Sequence, residues 1–399
     1  MFLLCTTMRS RTAKRLTPDA EKLVGHALAL AASGSRIEDR FWEAQLDTLL
    51  TRVLRTGNQP AIDAALDHLQ ANHSEAYGAL ADLIESQSES AEPEADGQVW
   101  DGLLVAVPIL AWTRYAIPSG PVKGDALMPI RAHLHAHVLA ESARVAISPY
   151  LYSIDQLPRT HCESWKVTQQ LVRAAVDNAE VKQPGGDLPE TAPILADPRF
   201  LLAAVTVPKG APMFRWQEDG ARHAERGQCQ EAWSAQGGPN LNALLPGCEI
   251  ECLLPDAYYA SCREADERIR PHTIRTALRY LEDVLTLTPP ELRAVIAGFG
   301  EQNIDEYRIS FTQRGSNDVI YGVVWPLYGR ENGEVEGGAL DEVTDLLKAC
   351  GVTEIRKHPG RFDPEYCDDC GVPLYPDPVG EVVHAEMPED AEPSRPHFH

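Results

Sequence analysis

Two cysteines near the C-terminal end of the chain have the spacing of a metal site. Cys367 and Cys370 form a Cys-x-x-Cys pair followed by glycine, a pattern typical of a zinc knuckle, in which two thiolates bind one face of a tetrahedral ion. His384 would supply a third ligand and His399 the fourth, with His397 as the alternative. The spacing therefore predicts a Zn2+ site, because zinc prefers thiolate and imidazole ligands.

The alternatives to a structural zinc site at this cysteine pair are a redox disulfide and a catalytic zinc site. A redox disulfide needs a lowered thiol pKa, which a helix N-terminus or a cation usually provides. Asp368 and Asp369 lie between the cysteines, so we expect their carboxylates to oppose thiolate formation. A structural zinc site is also favoured over a catalytic one, because four ligands leave no open position. With both terminal histidines unbound, a water would complete the site and Glu386 would be the candidate base.

The loop over residues 116–125, between a predicted strand and a predicted helix, is a second candidate site. Loops in this position commonly receive anions through free backbone N–H groups and a nearby cation. The candidate ligand-binding residues are Arg114, Ser119, Gly120 and Lys123, with Arg263 in the corresponding loop of the second half of the chain. The glycine-rich nucleotide-binding motifs do not occur. The loop predicts an anion or small-ligand site, and an ordinary Gly/Pro turn is the simpler alternative.

Three histidines alternate along a predicted helix. His133 and His137 lie four residues apart and share a helix face, whereas His135 points elsewhere. No carboxylate at matching spacing completes a His-Glu-x-x-His motif. We interpret these histidines as a partly exposed helix face, with a metal site as the alternative.

The elements that must hold these residues begin with helices. Thr17-Pro18 is a good helix start, with a capping hydroxyl and a proline in the first turn, and apolar residues follow at helical spacing. Similar patterns recur up to residue 87, which predicts a helical bundle over 17–87. A flexible basic N-terminus (1–16) precedes the bundle, and an acidic linker follows it.

Beyond the linker, predicted strands and helices alternate in two related runs. Strands at 103–107 and 250–254 each lead to a helix and then to a hairpin, around Lys209-Gly210 in the first run and Gly315 in the second. We predict an α+β fold with two weakly repeated βαβββα-like units, at 98–246 and 247–360, and a cleft between them. A Pro-rich, zinc-bound tail over 361–399 completes the chain.

Composition limits the kinds of partner. The chain has 36 basic and 59 acidic residues and a net charge of -23, which argues against nucleic acid or an anionic membrane as the main partner. No apolar run reaches the roughly 18 residues that span a bilayer. Nine cysteines in 399 residues, without a tight framework, are typical of a reducing compartment. We therefore expect a cytoplasmic protein with a protein or small-molecule partner.

Several segments resemble one known family. Residues 110–120, residues 151–158 and the Cys367–Cys370 tail are similar to an uncharacterised bacterial family catalogued only as a domain of unknown function. The similarity runs from about Leu16 to His399. It implies a bacterial origin and specifies little chemistry.

Two classes of function remain open at this point. The first is a binding or regulatory protein in which zinc is structural, because no coherent set of acid, base and nucleophile occurs. An exposed apolar patch on the bundle would favour it. The second is a metal-dependent, hydrolase-like enzyme that uses the tail metal or the cleft between the units. It requires an open coordination position near a concave pocket.

Overall fold

The computed structural model describes residues 16–186, 188–191, 194–301, 303–327 and 338–388, and its fold is a mixed α+β arrangement. The helices are α1 Pro18–Ala31, α2 Arg36–Thr56, α3 Gln59–Asn72, α4 Ser74–Glu89, α5 Gly124–His137, α6 His161–Val176, α7 Arg226–Ala232, α8 Gly238–Asn242, α9 Tyr258–Leu285 and α10 Ala339–Ala349. No helix in these ranges combines the length and the apolar surface that a membrane span requires.

The strands form two main sheets and one small one. They are β1 Ser90–Ala91, β2 Glu94–Ala95, β3 Gln98–Trp112, β4 Gly120–Pro121, β5 Arg144–Ser153, β6 Ala196–Pro208, β7 Glu249–Cys252, β8 Asp256–Ala257, β9 Leu292–Phe299, β10 Glu306–Gln313, β11 Val319–Pro326, β12 Glu354–Phe362, β13 Tyr375–Pro376 and β14 Val382–Val383. The first sheet has the order β1-β3-β6-β5-β4, and β2, β7 and β8 also pair with β3. The second has the order β11-β10-β9-β12, and β13 pairs with β14.

The first four helices pack on one another around leucine and alanine side chains. Thr17 accepts a hydrogen bond from the Ala20 N–H at 3.3 Å, and Ser35 caps α2 in the same way. The core of these helices also includes Cys162 of α6. Because α6 contributes to this core and also packs on the first sheet, the helices are joined directly to the sheet that follows them.

The first sheet is covered on both faces. Alternate residues of β3 point to opposite sides, as expected for a strand. Val105 and Val107 share a core with α5, α7 and α8, whereas Leu104 and Ala106 share a core with α6 and α9. Strand β6 lies between β3 and β5 and is antiparallel to both.

Helix α9 connects the two sheets. It has 28 residues, which corresponds to about 42 Å. Tyr258 and Cys262 in its first half pack on the first sheet. Ile274 and Leu278 in its second half pack on the second sheet, on the face that α10 also covers.

The C-terminal segment covers the other face of the second sheet. The Tyr375 ring lies against Gly322 of β11, at the place where a Cβ atom would clash. The Ser310 hydroxyl donates to the Pro376 carbonyl at 2.5 Å. The segment before and after β13 is thereby held over the middle of the sheet.

The strand pairing does not confirm the predicted repeat. Strand β7, the predicted start of the second unit, pairs with β3 of the first sheet. Residues 213–216 form a single bridge and a short 3-10 turn instead of the second arm of a hairpin. A period-2 pattern identifies a strand but does not specify its partner, which explains the difference. The halves share a smaller part, in which a helix precedes an antiparallel pair, β5 with β6 and β9 with β10.

Candidate metal centre

Three potential metal ligands converge at the C-terminal end of the described chain. One ligand atom each from Cys367, Cys370 and His384 lie within 4.8 Å of one another. The Cys370 Sγ and His384 Nε2 atoms are 3.3 Å apart. The cysteines lie in a turn that a bridge between Tyr366 and Pro373 closes, and His384 follows β14 directly.

The backbone of this turn favours a thiolate. The Cys367 N–H donates to the Val372 carbonyl at 2.8 Å, and Gly371 adopts a φ of +72° that returns the chain. Backbone N–H groups of Cys370 and Asp369 donate to the Cys367 sulfur and lower the pKa of that thiol. This corrects the expectation that neighbouring carboxylates dominate, because the N–H groups point at the sulfur and outweigh the Asp369 charge.

A buried arginine holds the base of the turn. The Arg308 Nη1 atom donates to the carbonyls of Glu365 and Leu374, each at 2.6 Å, and these two residues flank the turn. Its Nε atom donates to Glu306 at 2.6 Å, and the Arg308 side chain is 0% exposed. The guanidinium also lies over the Tyr366 ring, 5.1 Å from its centroid. Both ends of the cysteine turn are therefore fixed to β10.

His384 has a carboxylate beside its second ring nitrogen. Its Nδ1 atom lies 3.9 Å from Glu386, too far for a hydrogen bond and close enough for charge to act. The Glu386 N–H donates to the Val319 carbonyl at 2.9 Å, which fixes this part of the segment to β11. Carboxylates that orient a metal-binding imidazole accept a hydrogen bond from its second ring nitrogen, and Glu386 lies beyond that distance in this structure.

The described residues supply three ligands of the predicted four. His397 and His399, the candidates for the fourth, lie outside the described residues. The arrangement of two thiols and one imidazole fits a metal ion that binds sulfur and nitrogen in tetrahedral geometry.

The family comparison includes this site. A family model with the description "Protein of unknown function (DUF2863)" matches residues 8–398. The chain belongs to this family. No curated protein and no solved structure matches it. The DUF2863 match extends over the N-terminal helices, both sheets and the cysteine turn, so the candidate metal ligands Cys367, Cys370 and His384 lie within the family region.

Part of the second predicted site of this DUF2863 chain lines a cavity of about 490 Å3. Ser119, Gly120 and Lys123 lie on its wall, with Pro118, Leu151 and Leu244 among its apolar residues. Asp125 also lines it and accepts a hydrogen bond from the Ala126 N–H at the start of α5. This carboxylate reduces the positive potential that a helix N-terminus offers to an anion.

The two predicted arginines lie elsewhere in this DUF2863 chain. Arg114 forms an ion pair with Asp283 at 3.7 Å. Arg263 is in α9 and not in a loop, and its Nη1 atom donates to both carboxylate oxygens of Glu85 at 2.7 and 2.8 Å. It joins α9 to α4 instead of facing the cavity.

The histidine row of α5 forms a pair. His133 Nδ1 and His137 Nε2 are 3.4 Å apart, and the two rings are stacked. Burial, with help from His133 and Arg215, lowers the pKa of His137. In the described part of the chain, only the Cys367–Cys370–His384 group combines three residues close enough to share an ion.

Sequence reasoning missed the arginine that holds the cysteine turn. Arg308 follows Glu306 by two residues within a strand of buried residues, and Arg199 follows Asp197 in the same way in β6. Arg199 Nε and Nη2 donate to the carbonyls of Pro118 and Ile117, so it holds the cavity loop. An acid-x-Arg pair inside a predicted buried strand would have identified both arginines, because such charges are buried only when paired.

Proposed function

We propose that this chain is a zinc-binding protein of the binding or regulatory class, in which Zn2+ has a structural role. The observation that carries the proposal is the convergence of Cys367, Cys370 and His384 within 4.8 Å, in a turn whose backbone lowers the pKa of the Cys367 thiol. Thiolate and imidazole together are the ligands that zinc prefers. A reducing compartment, such as the bacterial cytoplasm, would keep both thiols available.

The structural role follows from where the ligands lie. The cysteine turn precedes β13 and His384 follows β14, so one ion would close the segment that covers the second sheet. Few buried apolar residues hold that segment, and Tyr375 is the main one. A metal crosslink supplies the order that a small core cannot. His399, or His397 in its place, would complete a closed tetrahedral site.

The alternative is a metal-dependent, hydrolase-like enzyme, and the carboxylate of Glu386 beside His384 is the observation in its favour. Such an enzyme needs an open coordination position at a concave pocket. In the described part of the chain, neither the cavity beside Ser119 and Lys123 nor the cavity beside Arg144 and Asp177 is lined by Cys367, Cys370 or His384. The ligands are exposed or half-buried at the surface, which favours the structural role.

Metal content tests the proposal directly. Untagged protein, purified without chelators, is expected to contain about one zinc ion per chain by elemental analysis. The double variant Cys367→Ser/Cys370→Ser and the single variant His384→Ala should lose it. The control is Cys248→Ser/Cys350→Ser, which removes two half-buried thiols outside the cluster and should keep the metal.

Either of two results would overturn the zinc proposal. The first is wild-type protein that binds no zinc after reconstitution. The second is a cysteine-free turn that retains zinc. Replacing zinc with Co2+ adds a readout of ligand type, because thiolate ligands give an intense near-ultraviolet charge-transfer band. That band should disappear in the double cysteine variant.

An activity assay tests the alternative function. Hydrolysis of activated esters by the metal-loaded wild type, but not by Glu386→Gln, would favour the enzyme.

A further inference from the structure

The loop that lines the cavity beside α5 is fixed by hydrogen bonds to its backbone. Arg199, whose side chain is 1% exposed, donates from Nε to the Pro118 carbonyl at 2.8 Å and from Nη2 to the Ile117 carbonyl at 2.9 Å. The loop then pairs with β5, where Gly120 lies opposite Leu151. One wall of the cavity is therefore formed before any ligand arrives, as is usual for small-molecule sites.

Lys123 and Asp125 bring opposite charges to this cavity without pairing. Both side chains are exposed, and both line the cavity. In the described part of the chain neither residue forms an ion pair, and the hydrogen bond that Asp125 accepts comes from the adjacent Ala126 N–H. One unpaired cation and one unpaired anion in the same cavity favour a ligand that carries both charges.

The Ser119 hydroxyl offers an acceptor in the same cavity. Thr191 donates its hydroxyl hydrogen to Ser153 at 3.0 Å, and Ser153 is buried. A hydroxyl group has one hydrogen, so Ser119 is the donor in the 3.2 Å contact between the Ser119 and Thr191 oxygens. The Ser119 oxygen, which lines the cavity, keeps lone pairs for a donor on the ligand. Ser119 and Asp125 are therefore two acceptors for an ammonium group.

Much of the remaining wall is apolar. Leu151 is buried, Leu244 is half-buried, and Pro118, Pro121 and Val122 also line the cavity. In the described part of the chain no aromatic ring lines it, and Lys123 is its one cation, which disfavours a nucleotide or a multiply charged phosphate. Its volume of about 490 Å3 lies within the range of small-molecule sites, about 300 to 1,000 Å3.

We propose that this cavity binds an apolar α-amino acid as its zwitterion. The carboxylate of the ligand pairs with Lys123, and its ammonium group pairs with Asp125 and donates to Ser119. The apolar side chain of the ligand lies against Leu151 and Leu244. The two charges of an α-amino acid are separated by a single carbon atom, so one small ligand satisfies both protein charges. A fatty acid or an alkylamine leaves one of them without a partner.

Isothermal titration calorimetry of the untagged full chain with L-leucine tests the proposal. We expect one site per chain and a dissociation constant on the order of 100 µM, because a ligand of this size makes few contacts. Isocaproate lacks the ammonium group and isoamylamine lacks the carboxylate. Each should bind at least about tenfold more weakly than L-leucine, because each loses one charge contact.

Two variants assign the two charges. Lys123→Met should weaken the binding of L-leucine at least about tenfold, to the level of isoamylamine, because the ligand carboxylate loses its partner. Asp125→Asn should weaken it by a similar factor, to the level of isocaproate. Lys182→Met and Asp67→Asn, matched changes at exposed positions outside the cavity, are the controls and should leave the dissociation constant unchanged.

Three outcomes would overturn the proposal. One is a wild type that shows neither saturable heat nor a higher unfolding temperature with L-leucine up to about 10 mM. Another is binding of L-leucine that Lys123→Met and Asp125→Asn do not weaken, which would place the ligand elsewhere. The third is a wild type that binds isocaproate or isoamylamine as tightly as L-leucine, which would mean that one charge alone is recognised. The cavity shares no residue with the cysteine turn, so the Cys367→Ser/Cys370→Ser variant should bind L-leucine as the wild type does.

Discussion

At the scale of single residues, nearby backbone groups decide the ionisation of Cys367. Charges on Asp368 and Asp369 suggest a suppressed thiolate, yet two N–H groups directed at the sulfur lower its pKa. The orientation of these N–H groups toward the sulfur is decisive. A hydrogen bond to the thiolate stabilises it more than an exposed carboxylate, screened by solvent, destabilises it. Composition around a cysteine is therefore a poor guide to its pKa.

Glu89 is a residue whose ionisation costs stability. Burial raises its pKa to about 7, against the hydrogen bond that it accepts from the Tyr259 N–H at 3.0 Å. The pKa of Glu89 is higher in the folded state than in the unfolded state. Its protonated side chain therefore contributes fully to folding stability below about pH 4.5, and this contribution is lost as the pH rises through about 7. Glu89→Gln keeps an acceptor for Tyr259 and removes the charge. We expect the free energy of unfolding of Glu89→Gln to exceed that of the wild type at pH 8. The difference between the two proteins should increase by about 3 kcal/mol between pH 4.5 and pH 8.

Urea unfolding of both proteins at pH 4.5, 6 and 8 measures this difference. Glu94→Gln, at an exposed position in β2, is the control, and its difference from the wild type should stay constant with pH. A Glu89→Gln difference that does not grow with pH would show that the carboxylate is well solvated.

At the scale of elements, Arg308 of β10 holds the cysteine turn, and Glu306 of the same strand pairs with its charge. Arg308→Met should lower stability by about 3 to 5 kcal/mol, because it leaves the Glu306 charge buried without a partner. The double variant Glu306→Leu/Arg308→Met removes both charges and should recover most of that loss. It should still bind zinc about tenfold more weakly, because the carbonyls of Glu365 and Leu374 no longer have a common donor.

Chemical unfolding and competition with a zinc chelator separate the two effects. Recovery of both stability and zinc affinity in the double variant would show that the arginine does not position the turn. Arg314→Met removes an exposed arginine from the same half of the chain and serves as the control.

Sequence predicted the local elements well and the distant contacts poorly. Thr17 identifies the start of α1 and Gly57 the end of α2, because caps and glycine turns are local. The convergence of His384 on a Cys-x-x-Cys turn was also predictable, because cysteine and histidine residues that bind metals have characteristic spacing. The pairing of β7 with β3 was not, since it joins residues more than a hundred positions apart.

At the scale of the whole molecule, α9 makes the two sheets interdependent, while the candidate metal site lies on the outer face of the second sheet alone. The first half of α9 belongs to one core and the second half to the other, so disturbing either core affects a shared element. Arg308 fixes the cysteine turn to the outer face of the second sheet. Loss of the metal should therefore loosen the C-terminal segment that covers the second sheet and leave both cores in place.

Hydrogen exchange with and without a chelator tests this separation. After zinc removal we expect faster exchange for the amides of Cys367, Gly371 and Glu386, whose hydrogen bonds hold the C-terminal segment, with a smaller increase in β10. Amides of α1 to α4 and of β6 should not change, because their packing does not include the segment. The Cys367→Ser/Cys370→Ser variant should show the same pattern without chelator. Faster exchange throughout both sheets would mean instead that the ion supports the entire fold, and the metal would then be a condition for folding, as in small zinc domains.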